Sequence, residues 1–221
     1  MNWSEQIDIY CERLGPGFWA EPLNAISNLA FIAAALILWP RARRHRPSAL
    51  LCAILFVIGV GSFLFHTFAT QWASTADSTP IGIFILVYLY FVHRHFVGLP
   101  RWAAGLSTLG FAPYAALMVP LLNALPFFRI SDFYWTVPIL LFVYAAGLWR
   151  RDRATAEGMA IGAGILTLSI TLRSLDMTLC YVWPFGTHVF WHLLNGVMLG
   201  WMIHVWLGWK GRRLAAAGAS G

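Results

Sequence analysis

Residues 50–68, LLCAILFVIGVGSFLFHTF, form a continuous apolar stretch without any Asp, Glu, Lys or Arg. An α-helix needs about 20 consecutive apolar residues to cross the hydrocarbon core of a bilayer. Backbone N–H and C=O groups in lipid must be paired within the element, which favours a helix. The stretch therefore predicts a membrane-spanning helix. The polar residues Ser62 and His66 near its end need a separate explanation.

The whole chain has the composition of a polytopic membrane protein. Of its 221 residues, 59% are hydrophobic and 11% are charged, with a mean hydropathy of +0.67. An ordinary soluble domain is less apolar and more charged, and the period-two alternation of a membrane β-barrel is absent. We predict an all-α integral membrane protein, a seven-transmembrane helix bundle that forms a single domain over residues 1–221. The predicted spans are 23–39, 50–68, 80–97, 102–123, 133–149, 158–180 and 187–207.

Basic residues mark alternate connections between the predicted spans. They are Arg41, Arg43, Arg44 and Arg46, then Arg94 and Arg101, then Arg150, Arg151 and Arg153, and finally Lys210, Arg212 and Arg213. The positive-inside rule places these connections in the cytoplasm. The N-terminus is then outside, with residues 1–22 as an outer segment, and residues 208–221 are a short cytoplasmic tail. The net charge of +6 arises from residues that flank spans, so we expect no nucleic-acid partner.

The N-terminal segment lacks a basic region followed by an apolar one, so we expect no cleaved signal peptide. Short loops and sparse lysine are typical of a bacterial protein. We therefore expect a multi-pass protein of the bacterial inner membrane, with its active site toward the outer, periplasmic side.

Five polar residues from three spans are predicted to meet at one depth. Ser62 and His66 are four apart, as are His188 and His192, so each pair shares a helical face. Asp77 lies just before the third span, on the same outer side. Three imidazoles form a good zinc site with one open position, and Asp77 is the candidate base. Alternatively, the histidines are interfacial hydrogen-bonding residues, and Ser62 bonds to a backbone carbonyl of its own helix.

The first predicted span opens with a polar stripe. Glu21, Asn24 and Asn28 recur at helical spacing and are expected to face the bundle interior. Glu21 is either a cation ligand at the outer mouth or an acid favoured by the helix dipole. In the sixth span, Arg173 and Asp176 are three apart, which predicts an internal ion pair.

Cys11 and Cys180 both fall on the predicted outer side. If that side is oxidising they can pair, which would hold the N-terminal segment over the mouth of the bundle. The alternative is two free thiols, because a total of three cysteines allows either.

Several motifs occur together in one order along the chain. They are YCER at 10–13, AEPLNAISNLAF at 20–31, GSFLFH at 61–66, Asp77, LDMTLC at 175–180 and HVFWH at 188–192. With these motifs, the chain resembles the alkaline ceramidase family, which belongs to a wider group of seven-span putative metal hydrolases that includes the adiponectin receptors. The resemblance covers about residues 8–207.

The resemblance implies a role for each matching residue. Zinc would be held by His66, His188 and His192, with Asp77 as acid/base and Ser62 as a polar partner of the reacting group. A disulfide would join Cys11 to Cys180. The family's calcium site would use Asp8, Tyr10, Glu12 and Glu21. The family's first acidic position is Ile9 here, and Asp8 precedes it by one residue.

The residues and the resemblance together imply a zinc-dependent intramembrane amidohydrolase. Its substrate would be a membrane lipid, a ceramide-like molecule whose N-acyl amide bond is cleaved to a sphingoid base and a fatty acid. One alternative is a seven-helix lipid receptor or transporter with a structural zinc ion. Another keeps the hydrolysis and changes the substrate to a different N-acyl or ester lipid.

Overall fold

A computed structural model describes residues 2–219, and its regular elements are all helices. Within that range, one isolated antiparallel β-bridge joins Gln6 to Thr70. The helices are α1 (Pro22–Ser27), α2 (Leu29–Ala42), α3 (Arg46–Phe68), α4 (Gln71–Phe91), a π-helical segment (Val92–Val97), α5 (Arg101–Leu109), α6 (Phe111–Asn123), α7 (Pro126–Arg129), α8 (Asp132–Leu148), α9 (Arg153–Leu179) and α10 (His188–Gly218).

Six helical stretches among the described residues are long and apolar enough to cross a membrane. They are Pro22–Ala42, Arg46–Phe68, Gln71–Val97, Arg101–Asn123, Arg153–Leu179 and His188–Gly218. The predicted span 133–149 corresponds to α8, an apolar helix of 17 residues that is shorter than these six. Multiple apolar helices of this length fit a multi-pass membrane protein.

The third span begins earlier than the sequence predicts. The apolar pattern predicts this span from residue 80, with Asp77 just before it. In the structure α4 starts at Gln71 and contains Pro80. Asp77 is therefore inside the helix, in its second turn, and not in the loop before it. Gly61 packs directly on this turn, because a Cβ added to it would lie only 2.2 Å from the Ala76 carbonyl oxygen. Pro80, four residues later, has no N–H to donate to that carbonyl.

The last helix also differs from its prediction. The apolar pattern ends near residue 207, but α10 continues to Gly218. Most of the predicted tail 208–221 is therefore helical, and residues 220 and 221 lie outside the described range.

Helix packing brings the two histidine-bearing helices together. The helix α3 packs against α2 and α4, while α10 packs against α9 and α2 and also contacts α3. The N-terminal segment lies across the end where α3 meets α4, since the Ile7 N–H donates to the Ala69 carbonyl at 2.7 Å. This end of the bundle holds the residues described next.

Candidate metal centre

Three histidines from two helices meet in the interior. His66 lies in the last turn of α3, and His188 and His192 occupy the first two turns of α10. The ring centroids are 4.6 Å apart for the two pairs that include His192 and 5.1 Å apart for the remaining pair. Each residue is 1% exposed. One ligand nitrogen of each lies within 4.8 Å of those of the other two.

Glu21 fixes the orientation of the first imidazole. The Nδ1 atom of His66 is 2.6 Å from Glu21 Oε2, so Nδ1 carries the proton that is donated to the carboxylate. The Nε2 atom of His66 then has a free lone pair and, among the described residues, no hydrogen-bond partner. A carboxylate behind a histidine is the arrangement that orients metal-binding imidazoles.

Ser27 fixes the orientation of the His192 imidazole in the same way. Its hydroxyl donates to the Asn24 carbonyl at 2.9 Å, so its oxygen is left to accept from Nδ1 of His192 at 2.7 Å. The Nε2 atom of His192 is again buried and without a partner in the described part of the chain. Both rings thus present the same nitrogen, unprotonated, to the space between them.

His188 is held by stacking and by its backbone. The Tyr10 ring stacks on it with centroids 3.7 Å apart, and the His188 N–H donates to Asp176 Oδ1 at 2.8 Å. Asp176 also accepts from the N–H groups of Thr187 and Cys11. The carboxylate therefore caps α10, as expected for an acid at a helix N-terminus, and does not pair with Arg173 as the sequence suggested.

The three histidines fit a metal ion. Within the described residues, His66 Nε2, His188 Nδ1 and His192 Nε2 are buried atoms without hydrogen-bond partners. A buried polar atom left unpaired costs free energy, and a cluster of three needs a common partner. Three neutral imidazoles with a free nitrogen each are suited to Zn²⁺ and leave a fourth position open.

Three of the four expected calcium ligands have other partners. Glu12 accepts the N–H groups of Leu23 and Asn24 at 2.7 and 2.8 Å, which caps α1. Glu21 is 2.5 Å from the Arg13 guanidinium. The side chain of Asp8 is exposed and has no hydrogen-bond or ion-pair partner among residues 2–219.

Arg13 supplies the positive charge that this acidic cluster needs. Its guanidinium, which is 5% exposed, also donates to the carbonyls of Gly15 and His66 at 3.0 and 3.1 Å. Although burial raises the pKa of Glu21, hydrogen bonds from His66 and Arg13 lower it below its ordinary value. The structure gives no support to calcium here, and Tyr10 contacts His188 instead.

Asp77 and Ser62 lie beside the histidines on the other side. The Asp77 carboxylate interacts with the Ser62 hydroxyl and is within electrostatic range of His66 and Arg173. The close packing of Gly61 on the Ala76–Asp77 backbone brings these groups together. The structure thus gathers all five residues that the sequence placed at one depth.

An apolar cavity begins at Ser62 and Asp77. It encloses about 830 Å³ of empty space, a volume that includes its opening to the outside. Its walls come from α2, α3, α4, α6, α8, α9 and α10. Apart from Ser62 and Asp77, its lining is Phe31, Ile58, Ile81, Phe84, Ile85, Tyr88, Leu89, Phe111, Tyr134, Val137, Leu140, Leu141, Leu166, Trp191, Asn195, Met198, Leu199 and Met202. Such a lining suits a hydrocarbon chain.

Arg173 lies next to the polar end of this cavity, against the lining residues Tyr134 and Trp191. Its guanidinium lies 5.1 Å from the Tyr134 ring, 5.5 Å from the Trp191 ring and 6.0 Å from the Tyr10 ring. It donates to Ser131 Oγ at 2.7 Å. Cation–π contacts therefore take the place of the predicted ion pair with Asp176.

A disulfide closes this end of the protein. Cys11 and Cys180 are bonded, with Cα atoms 5.5 Å apart, and the bridge joins residues 169 positions apart in the chain. Gly186 sits below it at φ +68°, where an added Cβ would lie 2.2 Å from Asp176 Oδ1. The N-terminal segment is thereby held over the histidines.

Sequence reasoning missed three contributors to this site: Arg13, Ser27 and the aromatic surroundings of Arg173. Ser27 lies three residues after Asn24, on the polar stripe that the sequence did identify, so the stripe could have included it. Arg13 gave no such signal, because its partners are a side chain eight residues away and a carbonyl 53 residues away.

Comparison with known proteins agrees with this geometry. No curated protein sequence matches the chain. A protein-family model described as Ceramidase matches residues 10–211, a range that includes the three histidines, Ser62, Asp77 and both bridged cysteines. The chain therefore belongs to the ceramidase family.

Proposed function

We propose that this protein is a zinc-dependent intramembrane hydrolase. It cleaves the N-acyl amide bond of a ceramide-like lipid and releases a sphingoid base and a fatty acid. One observation carries the proposal: three buried imidazoles, each with a nitrogen unpaired among the described residues, lie beside Ser62 and Asp77, which line one end of an apolar cavity. Membership of the ceramidase family supports the same substrate class.

His66, His188 and His192 would hold the zinc ion. When bound there, zinc supplies Lewis acidity, which lowers the pKa of water and polarises a carbonyl. Glu21 and Ser27 keep the protons of His66 and His192 on Nδ1, so that both rings remain able to bind metal.

Asp77 and Ser62 would assist the chemistry. Asp77 accepts a proton from the attacking water and delivers one to the amide nitrogen as the C–N bond breaks. The Ser62 hydroxyl donates a hydrogen bond to the carbonyl oxygen as negative charge develops on it. The apolar cavity holds the hydrocarbon chain and keeps bulk water from the reacting bond.

We further propose the membrane arrangement. The helix α8, with 17 residues, is about 25 Å long, close to the bilayer core thickness, and serves as the seventh span. The N-terminus is outside and the C-terminus cytoplasmic, since Arg and Lys cluster at the end opposite the histidines. In a bacterial inner membrane the site would then face the periplasm.

Product analysis on the purified protein tests this function. The zinc-loaded protein is incubated with ceramide, with a lipid ester of the same chain length and with a further N-acyl lipid, and products are identified by mass spectrometry. We expect fatty acid and sphingoid base from ceramide, loss of the reaction after chelation and recovery with zinc. Absence of product from every N-acyl lipid at full zinc content would contradict the proposal.

A further inference from the structure

A second cavity lies at the end of the bundle opposite the histidines. We call it the arginine cavity, and it is lined by Phe96, Arg151, Asp152, Trp209, Arg212 and Arg213. About twenty residues of α10 separate His192 from Arg212, which is about 30 Å along a helix. This equals the thickness of a bilayer core. The arginine cavity is therefore at the level of the other membrane surface.

The arginine cavity carries uncompensated positive charge. Asp152, its one acid, caps α9 through Thr155 and forms an ion pair with Arg212 at 3.2 Å. Within residues 2–219, neither Arg151 nor Arg213 has a carboxylate partner. Two guanidinium groups thus face one cavity without a counter-ion from the described chain.

Each of the three guanidinium groups has a contact that holds it in place. Arg151 donates to the Val97 carbonyl at 2.8 Å, and Arg212 donates to Thr155 Oγ1 at 2.8 Å. Arg213 lies 5.6 Å from the ring centroid of Trp209. Because each guanidinium has five N–H donors, each keeps donors available for a further acceptor. Fixed, planar donors of this kind match a phosphate group.

An aromatic wall completes the cavity. The rings of Phe96 and Trp209 have centroids 5.6 Å apart, and Trp209 is also stacked with the buried Trp206 at 5.3 Å. Tryptophan at a membrane surface contacts the region between headgroup and acyl chain. Cationic donors and an aromatic wall together suit an amphipathic anion better than a fully soluble one.

We propose that the arginine cavity binds the phosphate headgroup of an anionic membrane lipid. The phosphate oxygens accept hydrogen bonds from Arg151 and Arg213, Arg212 bridges the phosphate to Asp152, and the aromatic wall contacts the lipid beyond the phosphate. The same chemistry would accept free inorganic phosphate, so the test separates the two sources. The proposal is independent of the hydrolase reaction.

Lipid binding to the zinc-loaded, full-length protein in neutral detergent provides the test. Native mass spectrometry and thermal denaturation are measured with added phosphatidylglycerol, with phosphatidylcholine of the same chains and with inorganic phosphate. Phosphatidylglycerol should bind and raise the Tm, whereas phosphatidylcholine and inorganic phosphate at the same concentration should not. An equal response to inorganic phosphate would overturn the lipid assignment in favour of a simple anion site.

Paired variants separate the cavity from general basic charge. Arg151→Gln with Arg213→Gln should weaken phosphatidylglycerol binding about tenfold or more. Both side chains are exposed, so the lipid-free Tm should not change. The control, Arg43→Gln with Arg44→Gln, removes two exposed cations from another connection at the same end and should bind like the wild type. Equal losses in both pairs, or no loss in the first, would overturn the proposal.

Discussion

The histidine site has two walls of opposite character. The polar wall is formed by α1 and the N-terminal segment, where Arg13, Glu21 and Ser27 contact the backs of the imidazoles or the groups that hold them. The cavity wall, on the other side, contributes Ser62 and Asp77 and is otherwise largely apolar. Arg13, Glu21 and Ser27 are not among the residues that line the cavity.

This difference separates metal binding from catalysis. On the polar wall, Glu21 and Ser27 contact the Nδ1 atoms of His66 and His192, the ring nitrogens opposite those left for the metal, so changing them should alter the affinity for zinc. Groups on the cavity wall face the space for the lipid, so changing them should alter turnover while zinc remains bound. A change confined to one wall should therefore leave the property governed by the other wall unaltered.

Removing one of the three histidines should reduce both zinc binding and turnover, and it should have the largest effect. His192→Ala leaves two imidazoles, so we expect loss of bound zinc and a fall in hydrolysis on the order of a thousandfold or more. His204→Ala is the control, because His204 is an exposed histidine on the same helix. Zinc analysis and product formation are measured together. Full zinc content and activity in His192→Ala would remove the basis for a metal centre.

A change on the polar wall should lower the affinity for zinc without altering the turnover of the zinc-loaded protein. Glu21→Gln keeps an acceptor for His66 but loses the charge, so the affinity for zinc should fall about 10–100-fold. Turnover at saturating zinc should stay near the wild-type value. Zinc titration monitored by activity gives both numbers. Glu157→Gln, an exposed acid on α9, is the control, and an unchanged zinc affinity in Glu21→Gln would break the division between the walls.

Filling the cavity should give a smaller effect that depends on chain length. Met198→Trp replaces a linear side chain that lines the cavity with a bulkier indole ring. We expect turnover of long-chain ceramide to fall about tenfold at unchanged zinc content. A short-chain ceramide should be less affected. Val197→Trp adds the same ring on the 58% exposed, outer side of α10 and serves as the control. Equal loss for short and long chains would show that the cavity does not hold the acyl chain.

The disulfide should influence stability more than activity. Cys11→Ser removes a bridge across 169 positions, which should cost about 2–4 kcal/mol of unfolding free energy. Hydrolysis per folded molecule should change least among these variants, because neither Cys11 nor Cys180 lines the cavity. Thermal denaturation with and without reductant measures the loss. Cys52→Ala keeps the bridge and should retain sensitivity to reductant, and a wild-type Tm in Cys11→Ser would contradict the prediction.

The sequence predicts the helices and the site to different extents. Apolar stretches locate the membrane helices because length and composition alone decide whether a segment fits the bilayer. The histidine pairs follow from helical spacing and from the alternation of sides. The start of α4 cannot be predicted in this way, because the close approach of Gly61 to Ala76 depends on tertiary packing.

The partners of the ligands are the least predictable part. Arg13 lies near Glu21 only after α1, α3 and the N-terminal segment have packed together. Asp176 was expected to pair with Arg173, three residues away, but the amides of α10 and Cys11 compete for its carboxylate. Long-range contacts of this kind leave no periodic pattern in the sequence.

The zinc content and hydrolysis rate of Asp77→Asn, measured on the same sample, test the central claim most directly. The amide cannot accept the proton, so the account predicts wild-type zinc content and a fall in ceramide hydrolysis of about 10²–10⁴-fold. A receptor or transporter with a structural zinc ion needs the histidines but tolerates this change. Wild-type hydrolysis by the zinc-loaded Asp77→Asn protein would contradict the account.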